Sequence, residues 1–101
     1  GAMKENEKLE WVRNVPAGEI RQVLAEIAPG PCPMCQNGNA GVVSDPDDVN
    51  KVAVFPYSPA GHEVFIPAYL TICRSCGFVM TFACEQVMAA LEKRREEKGN
   101  G

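Results

Sequence analysis

Two Cys-x-x-Cys pairs constrain the fold of this 101-residue chain more than any other feature of its sequence. Cys32-Pro33-Met34-Cys35 and Cys73-Arg74-Ser75-Cys76 each place two thiols on one tight turn, which we call the first and the second knuckle. Two thiols at this spacing can bind one small cation, and two such turns supply the four ligands of a tetrahedral site. The sequence therefore predicts a closed structural metal site with the ligands Cys32, Cys35, Cys73 and Cys76.

One structural Zn²⁺ is the expected metal, because zinc commonly takes four thiolates in tetrahedral geometry. Iron is the alternative, since four cysteines also bind Fe in rubredoxin-like proteins, and it would make the chain an electron carrier. A redox dithiol is disfavoured, because that function needs a Cys-x-x-Cys in a thioredoxin-like strand and helix context. His62, the single histidine, could replace one ligand, but four cysteines already complete the site.

Cys84 is the fifth cysteine, and its position leaves two interpretations open. Near the start of a helix, the helix dipole would lower its thiol pKa and make it reactive. It also shares helical spacing with Val87, Met88 and Leu91, and in that case it packs in the core as a small apolar residue. We favour the packing interpretation.

The N-terminal residues do not have the pattern of a secretory signal. Gly1-Ala2-Met3 is typical of a cleaved expression tag, so we interpret residues 1–13 as a tag remnant and flexible N-terminus. The sequence has no apolar run of about 18 residues, so we expect no membrane span. A cytoplasmic location is expected, because a reducing compartment keeps Cys-x-x-Cys pairs available as metal ligands.

Residues 14–98 are predicted to form one α+β domain, with its metal-bearing core at about residues 30–84. Apolar residues at helical spacing predict an N-terminal helix from Pro16 to Ala28, and Pro29-Gly30-Pro31 ends it. The same pattern predicts a C-terminal helix from Ala83 to about Lys98.

Short antiparallel strands are predicted between the helices, at residues 40–43, 49–55, 63–72 and 78–82. Residues 44–48 are predicted as a polar turn and residues 56–62 as a loop rich in Pro and Gly. The third strand is expected to be interrupted at Pro67, which is typical of an edge strand or a bulge. The last two strands form a hairpin with the second knuckle at its turn.

The charge distribution argues against nucleic acid as a partner. The chain has a formal charge of −3, and between Gly30 and Cys84 its cations are Lys51 and Arg74. Proteins that bind nucleic acid neutralise phosphates with a basic stripe, which this segment does not have. Lys93, Arg94 and Arg95 form a basic cluster that keeps nucleic-acid contact open as an alternative, although neighbouring glutamates dilute it.

The knuckles and the strands around them resemble the zinc ribbon (zinc β-ribbon) class, which includes the rubredoxin-like fold. The segment from Phe65 to Phe82 is similar to short bacterial and phage proteins with a strand, a C-x-x-C-G-aromatic knuckle and a returning strand. The resemblance covers about residues 30–92 and implies a small antiparallel zinc-ribbon sheet between two helices. The first knuckle departs from this pattern, because Gln36 stands where the second has Gly77.

We interpret the chain as a non-enzymatic zinc-binding module that binds another protein, as a regulator or accessory subunit, or binds itself as a homodimer. The sequence has no H-E-x-x-H, G-x-S-x-G or P-loop motif, so catalysis is not expected. Rigid loops that display an aromatic residue make good anchors, because little entropy is lost on docking. The predicted contact residues are therefore Tyr57, Pro59 and His62 in the 56–62 loop, together with Trp11.

Overall fold

The computed structural model describes residues 10–58, 60–61 and 65–99. Within them, helix α1 (Ala17–Ile27) and helix α2 (Cys84–Gly99) flank six strands. The strands are β1 (Ala40–Val42), β2 (Ser44–Asp45), β3 (Asp48–Val52), β4 (Phe55–Tyr57), β5 (Ile66–Cys73) and β6 (Val79–Ala83). Residues 10–13 are also helical. The predicted α+β fold, a small antiparallel sheet with a helix at each end, is confirmed.

Strand β5 is the centre of the main sheet, and every pairing in that sheet is antiparallel. Strand β6 pairs along one edge of β5, from Ala68 to Ile72. The other edge is shared, because β4 pairs with the first half of β5 and β1 with its second half. Cys73 ends β5 opposite Ala40 of β1, so the sheet brings the two knuckles to the same end.

The polar turn predicted at residues 44–48 is shorter than expected. Ser44 and Asp45 form β2, which pairs with β3 in a separate two-stranded sheet. The Asp45 carboxylate accepts a hydrogen bond from the backbone N–H of Asp47, at 2.8 Å. This Asx turn connects β2 to β3 within a few residues, so the residues on both sides of the turn can pair as strands.

The strand predicted at residues 49–55 is also divided. Strand β3 ends at Val52, and β4 begins at Phe55 and includes Pro56 and Tyr57, which the sequence places in a loop. Strand β5 runs through Pro67 without the predicted interruption, and Pro67 lies opposite Pro56. Proline cannot donate a ladder hydrogen bond, so it fits a strand only where its missing N–H would face no partner strand. Pairing with β6 starts one residue later, at Ala68.

The two helices cover one face of the main sheet, which we call the inner face. Tyr69 of β5 is fully buried there, and its hydroxyl donates a hydrogen bond of 2.8 Å to the backbone carbonyl of Val12. Val12 is 3% exposed and Trp11 packs against the core. Residues 10–13 therefore belong to the packed unit, although the sequence assigns residues 1–13 to a flexible N-terminus.

Ion pairs join the last turns of α2 to α1. Arg95 binds the Glu19 carboxylate through Nε and Nη2, and Arg94 lies 3.4 Å from Glu26. The end of α2 therefore lies along α1.

No helix in the described part of the chain is long and apolar enough to cross a membrane.

Candidate metal centre

The Sγ atoms of Cys32, Cys35, Cys73 and Cys76 all lie within 4.8 Å of one another. The distance from Cys32 Sγ to Cys76 Sγ is 3.7 Å, and the distance from Cys35 Sγ to Cys73 Sγ is also 3.7 Å. A tetrahedral ion with sulfur ligands at about 2.3 Å requires sulfur atoms about 3.8 Å apart. The donor set and its spacing therefore fit one four-coordinate metal ion.

Both knuckles close with the same backbone hydrogen bond. The N–H of Gln36 donates to the Cys32 carbonyl at 2.7 Å, and the N–H of Gly77 donates to the Cys73 carbonyl at 2.9 Å. Gln36 has a φ of 56° and Gly77 a φ of 81°, so both residues are in the left-handed region. Glycine adopts this conformation without strain, whereas a residue with a Cβ does not. The first knuckle thus has the geometry of the second despite its glutamine.

Backbone N–H groups point at the sulfur atoms. Ser75 and Cys76 donate to Cys73 Sγ at 3.4 and 3.5 Å, and Met34 donates to Cys32 Sγ at 3.4 Å. The bond from the Cys76 N–H is the main reason that the pKa of Cys73 falls to about 6, because it stabilises the thiolate. The backbone N–H groups of both knuckles are therefore positioned to stabilise cysteine thiolates.

The pKa of Cys76 moves in the opposite direction. The backbone N–H of Phe78 favours its thiolate, but desolvation and hydrogen bonding with the thiols of Cys32, Cys73 and Cys35 together outweigh this bond and raise the pKa to about 12. Thiolates this close repel one another unless a cation lies between them. A bound metal ion supplies that positive charge and would ionise all four ligands.

Gly38 holds the two knuckles close together, a role that the sequence analysis does not assign to it. A Cβ on Gly38 would lie 2.6 Å from Cys73 Sγ and 2.7 Å from Ser75 Oγ. The Gly38 carbonyl also accepts the N–H of Cys32 at 3.0 Å, and the next carbonyl, of Asn39, accepts the N–H of Arg74 at 3.3 Å. The glycine three residues after Cys35 was the signal available in the sequence.

Cys84 packs in the core, so the packing interpretation is confirmed. Its side chain is fully buried, and burial raises the pKa of its thiol to about 12. A thiol with this pKa is protonated near neutral pH, and it is not reactive. Tyr69 lies beside it, and burial raises the pKa of the Tyr69 hydroxyl as well.

The remaining predicted contact residues do not form one cluster. Tyr57 is 47% exposed on strand β4, and its hydroxyl lies 3.3 Å from Thr81 Oγ1. Trp11 packs against the core, and Lys93 is exposed on α2. Arg94 and Arg95 pair with carboxylates of α1. Pro59 and His62 lie outside the described residues.

The geometry supports a structural metal site at one end of the sheet. Cys32 and Cys73 are buried, Cys35 is half-buried and Cys76 is exposed. All four ligand positions would be filled by cysteine, so the site has no position for a substrate. Comparisons with protein-family models, with curated proteins and with solved structures found no match to this chain.

Proposed function

We propose that this chain is a Zn²⁺-stabilised module without catalytic activity, which binds a partner protein on the exposed face of its sheet. One observation supports this function best. The face of the main sheet opposite the helices, which we call the outer face, carries large apolar side chains in the open. Large exposed apolar side chains gathered on one face are typical of a site that another protein covers.

Strand pairing identifies the members of the outer face. Side chains alternate along β5, so Ile66, Leu70 and Ile72 point away from the buried Tyr69. Tyr57 pairs with Ile66 and Val79 pairs with Ile72, which places both on the same face. Four of these side chains are strongly exposed: Tyr57 at 47%, Ile66 at 52%, Ile72 at 40% and Val79 at 44%.

Tyr57 is held in place on this face. Its hydroxyl forms a 3.3 Å hydrogen bond with Thr81 Oγ1, which reaches from β4 across β5 to β6. Ala68, in the strand between them, is only 1% exposed. A ring that is already positioned loses little entropy on binding, so Tyr57 suits the role of an anchor.

The size and charge of the outer face define the partner. Eight residues of β5 in a sheet three strands wide give a face of roughly 400 Å². A stable dimer buries about 800 Å² on each side, so this face fits a transient complex better than a permanent homodimer. Apart from Arg74, whose guanidinium lies over Gly41 beside Ile72, the described strand residues of this face are uncharged, so the partner should offer a mainly apolar surface.

The ion pairs of α2 weigh against nucleic acid as the partner. Arg94 and Arg95, two of the three predicted contact residues, are already bound to Glu26 and Glu19. A phosphate would have to compete with these carboxylates for both guanidinium groups. The acidic net charge of −3 adds to this competition.

Zinc is proposed over iron because it is the metal most often held in closed four-cysteine sites. Elemental analysis of the purified protein should find one zinc per chain, and the solution should be colourless. A red protein with a thiolate-to-iron absorption band would contradict this assignment. We place the protein in the cytoplasm, since a reducing compartment preserves the free thiols.

Site-specific photo-crosslinking tests the docking surface. A photoreactive amino acid at position 79 should crosslink to a protein of defined mass, whereas the same amino acid at position 89 on α2 should not. The captured protein is then purified, and its binding is measured against Ile66→Lys and Val79→Lys. Both variants should weaken binding at least tenfold, because they bury a charge. The matched control Ala89→Lys, on an exposed position of α2, should bind like the parent.

Three outcomes would contradict the proposal. Crosslinking of equal strength from positions 79 and 89 would show that the outer face is not a specific surface. Unchanged binding by Ile66→Lys and Val79→Lys would show that the partner docks elsewhere. A tight dimer in sedimentation equilibrium that Val79→Lys converts to a monomer would show that the face binds a second copy.

A further inference from the structure

A cleft lies between the second half of α1 and the inner face of the sheet, beside the metal centre. Its volume is about 420 Å³, within the range of small-molecule sites. Leu24 of α1, Val42 of β1 and the side chains of Met80 and Phe82 on β6 contribute apolar lining. The helix leaves this part of the inner face uncovered, so a bound molecule would contact both layers of the fold.

Thr71 lines this cleft with a polar group that lacks a partner. It pairs with Val42 on one side and Met80 on the other, so it lies in the middle strand of the sheet. Thr71 is 5% exposed, and its Oγ1 has no hydrogen bond within the part of the chain that the structure describes. A buried hydroxyl without a partner is destabilising, so a molecule that hydrogen-bonds to it is favoured.

Two arginines give the cleft a positive charge. Arg21 of α1 and Arg74 of the second knuckle both line it. The Arg74 guanidinium lies over Gly41, where an added Cβ would be 3.0 Å from its Nε. Gly41 pairs with Ile72 of the outer face, so Arg74 borders the cleft at the edge of β1, whereas Arg21 lies on the helix side. Neither guanidinium has an ion-pair partner among residues 10–58, 60–61 and 65–99, unlike Arg94 and Arg95. The cleft therefore carries positive charge that no carboxylate of the described residues pairs with.

The open edge of β1 adds backbone donors to the same cleft. Val43 donates its N–H to the Leu70 carbonyl, and Asn39 accepts the N–H of Arg74. Backbone groups alternate in direction along an antiparallel strand, so those of Ala40 and Val42 point away from β5. Both residues line the cleft. Their N–H groups are further hydrogen-bond donors for an anion.

We propose that this cleft binds a small organic anion. The apolar body of the ligand packs on Leu24, Val42 and Phe82, and its acidic group pairs with Arg21. Arg74 adds positive charge at the rim of the cleft, at the edge of β1. The hydroxyl of Thr71 hydrogen-bonds to the same molecule. Charge-assisted bonds to guanidinium groups are among the stronger polar contacts, and they select carboxylates and phosphates over neutral compounds. This site is separate from the outer face and does not depend on the proposed partner protein.

Titration of the ¹⁵N-labelled, metal-loaded full chain tests the proposal by NMR. Sodium benzoate and phenyl phosphate are the two anionic probes, and benzamide is the neutral control of similar shape. At least one anion should shift the amides of Val42, Thr71 and Phe82 and saturate in the millimolar range. Benzamide should bind about tenfold more weakly, because it lacks the charge. The anion that binds more tightly identifies the acidic group as carboxylate or phosphate.

Three variants assign the binding to the cleft residues. Arg21→Gln should weaken binding of the tighter anion about tenfold, whereas the control Arg13→Gln, an exposed arginine outside the cleft, should leave it unchanged. Thr71→Val keeps the side-chain shape and removes the hydroxyl. It should weaken binding and also raise the Tm of the free protein, since the unpartnered group is gone.

Several results would overturn the proposal. No shift at the cleft amides with either anion at 20 mM would do so, and so would equal binding of benzamide. Unchanged affinity in Arg21→Gln would show that the charge of the cleft does not hold the ligand. Unchanged affinity in Thr71→Val would contradict the role assigned to its hydroxyl.

Discussion

Gly38 lies directly against the ligand sulfur of Cys73, and a Cβ on Gly38 would come within 2.6 Å of that atom. The contact joins the loop after the first knuckle to the turn of the second. Backbone atoms can approach a sulfur this closely only where there is no side chain. The metal site therefore depends on a residue that is not itself a ligand.

We predict that Gly38→Ala weakens both the metal site and the fold. The added methyl group must displace Cys73 Sγ or the Ser75 side chain, and such overpacking costs about 1–3 kcal/mol. Urea unfolding measures the stability, and competition with a chelator measures the metal affinity. Gly18→Ala is the matched control, because a Cβ on Gly18 meets nothing within 4 Å and Gly18 lies in α1. That control should be neutral or slightly stabilising, and equal losses in both variants would refute the prediction.

Exchanging the residues at the left-handed positions should change stability in opposite directions. Gln36→Gly should stabilise the metal-loaded protein by about 0.5–1 kcal/mol, because glycine relieves the strain at a φ of 56°. Gly77→Ala should destabilise it by about 1–2 kcal/mol, although a Cβ there has open space around it. Thermal unfolding of the two variants beside the parent measures both effects. A stabilising Gly77→Ala would contradict the assigned backbone strain.

Metal removal should unfold the sheet and its two knuckles. Structural zinc contributes on the order of 10 kcal/mol to the folding of small metal domains, so a chelator should abolish the cooperative unfolding transition. Cys76→Ser should have the same effect without a chelator. Cys84→Ala, the control, should keep one metal ion per chain, because Cys84 lies in the core. Undiminished stability after metal loss would argue against a structural role for the site.

Cys84 should resist alkylation and should make the fold sensitive to alkali. The folded pKa of about 12 is above the ordinary value of 9.0, so the protonated thiol favours the folded state. This contribution is complete below about pH 9 and is lost as the pH rises toward 12. Iodoacetamide should therefore leave Cys84 unmodified in the metal-loaded protein at pH 8. Urea unfolding between pH 8 and 11 should show a smaller loss of stability in Cys84→Ala than in the parent.

Removal of the Tyr69 hydroxyl should loosen the segment at residues 10–13. Tyr69→Phe leaves the Val12 carbonyl without its 2.8 Å hydrogen bond in the core, which costs about 1–3 kcal/mol. Amide hydrogen exchange near Val12 should accelerate in the same variant. Tyr57→Phe is the control, because its hydroxyl bond to Thr81 is exposed, and it should change stability by less than about 0.5 kcal/mol. If both variants lose the same stability, the buried bond has no special role.

Local sequence patterns were sufficient for the ligands and the helices. The Cys-x-x-Cys spacing places two thiols on each turn whatever surrounds it, and all four sulfur atoms meet in the structure. Helical periodicity with its Pro and Gly stops located both helices to within one residue at each end. These signals act over a few residues, so they do not need knowledge of distant contacts.

Strand limits were less predictable because pairing depends on partners far away in the sequence. Pro67 would interrupt most central strands, but pairing with β6 begins only at Ala68, so Pro67 faces a partner strand on one side alone. Arg94 and Arg95 belong to the basic cluster that the sequence leaves open to nucleic acid, yet α1 supplies a carboxylate for each. Only the packed arrangement of the two helices creates these ion pairs.

The sequence by itself determined that this protein has an α+β fold and a four-cysteine cluster that fits a metal ion, because turn geometry and helical periodicity are local properties. The tertiary structure alone decided which surfaces remain uncovered. The apolar side chain of Ile72 is exposed because the helices pack on the other face, and the hydroxyl of Thr71 is buried without a hydrogen-bond partner among the residues that the structure describes. Whether a side chain is buried or open depends on what the rest of the chain places over it, and no local pattern contains that information.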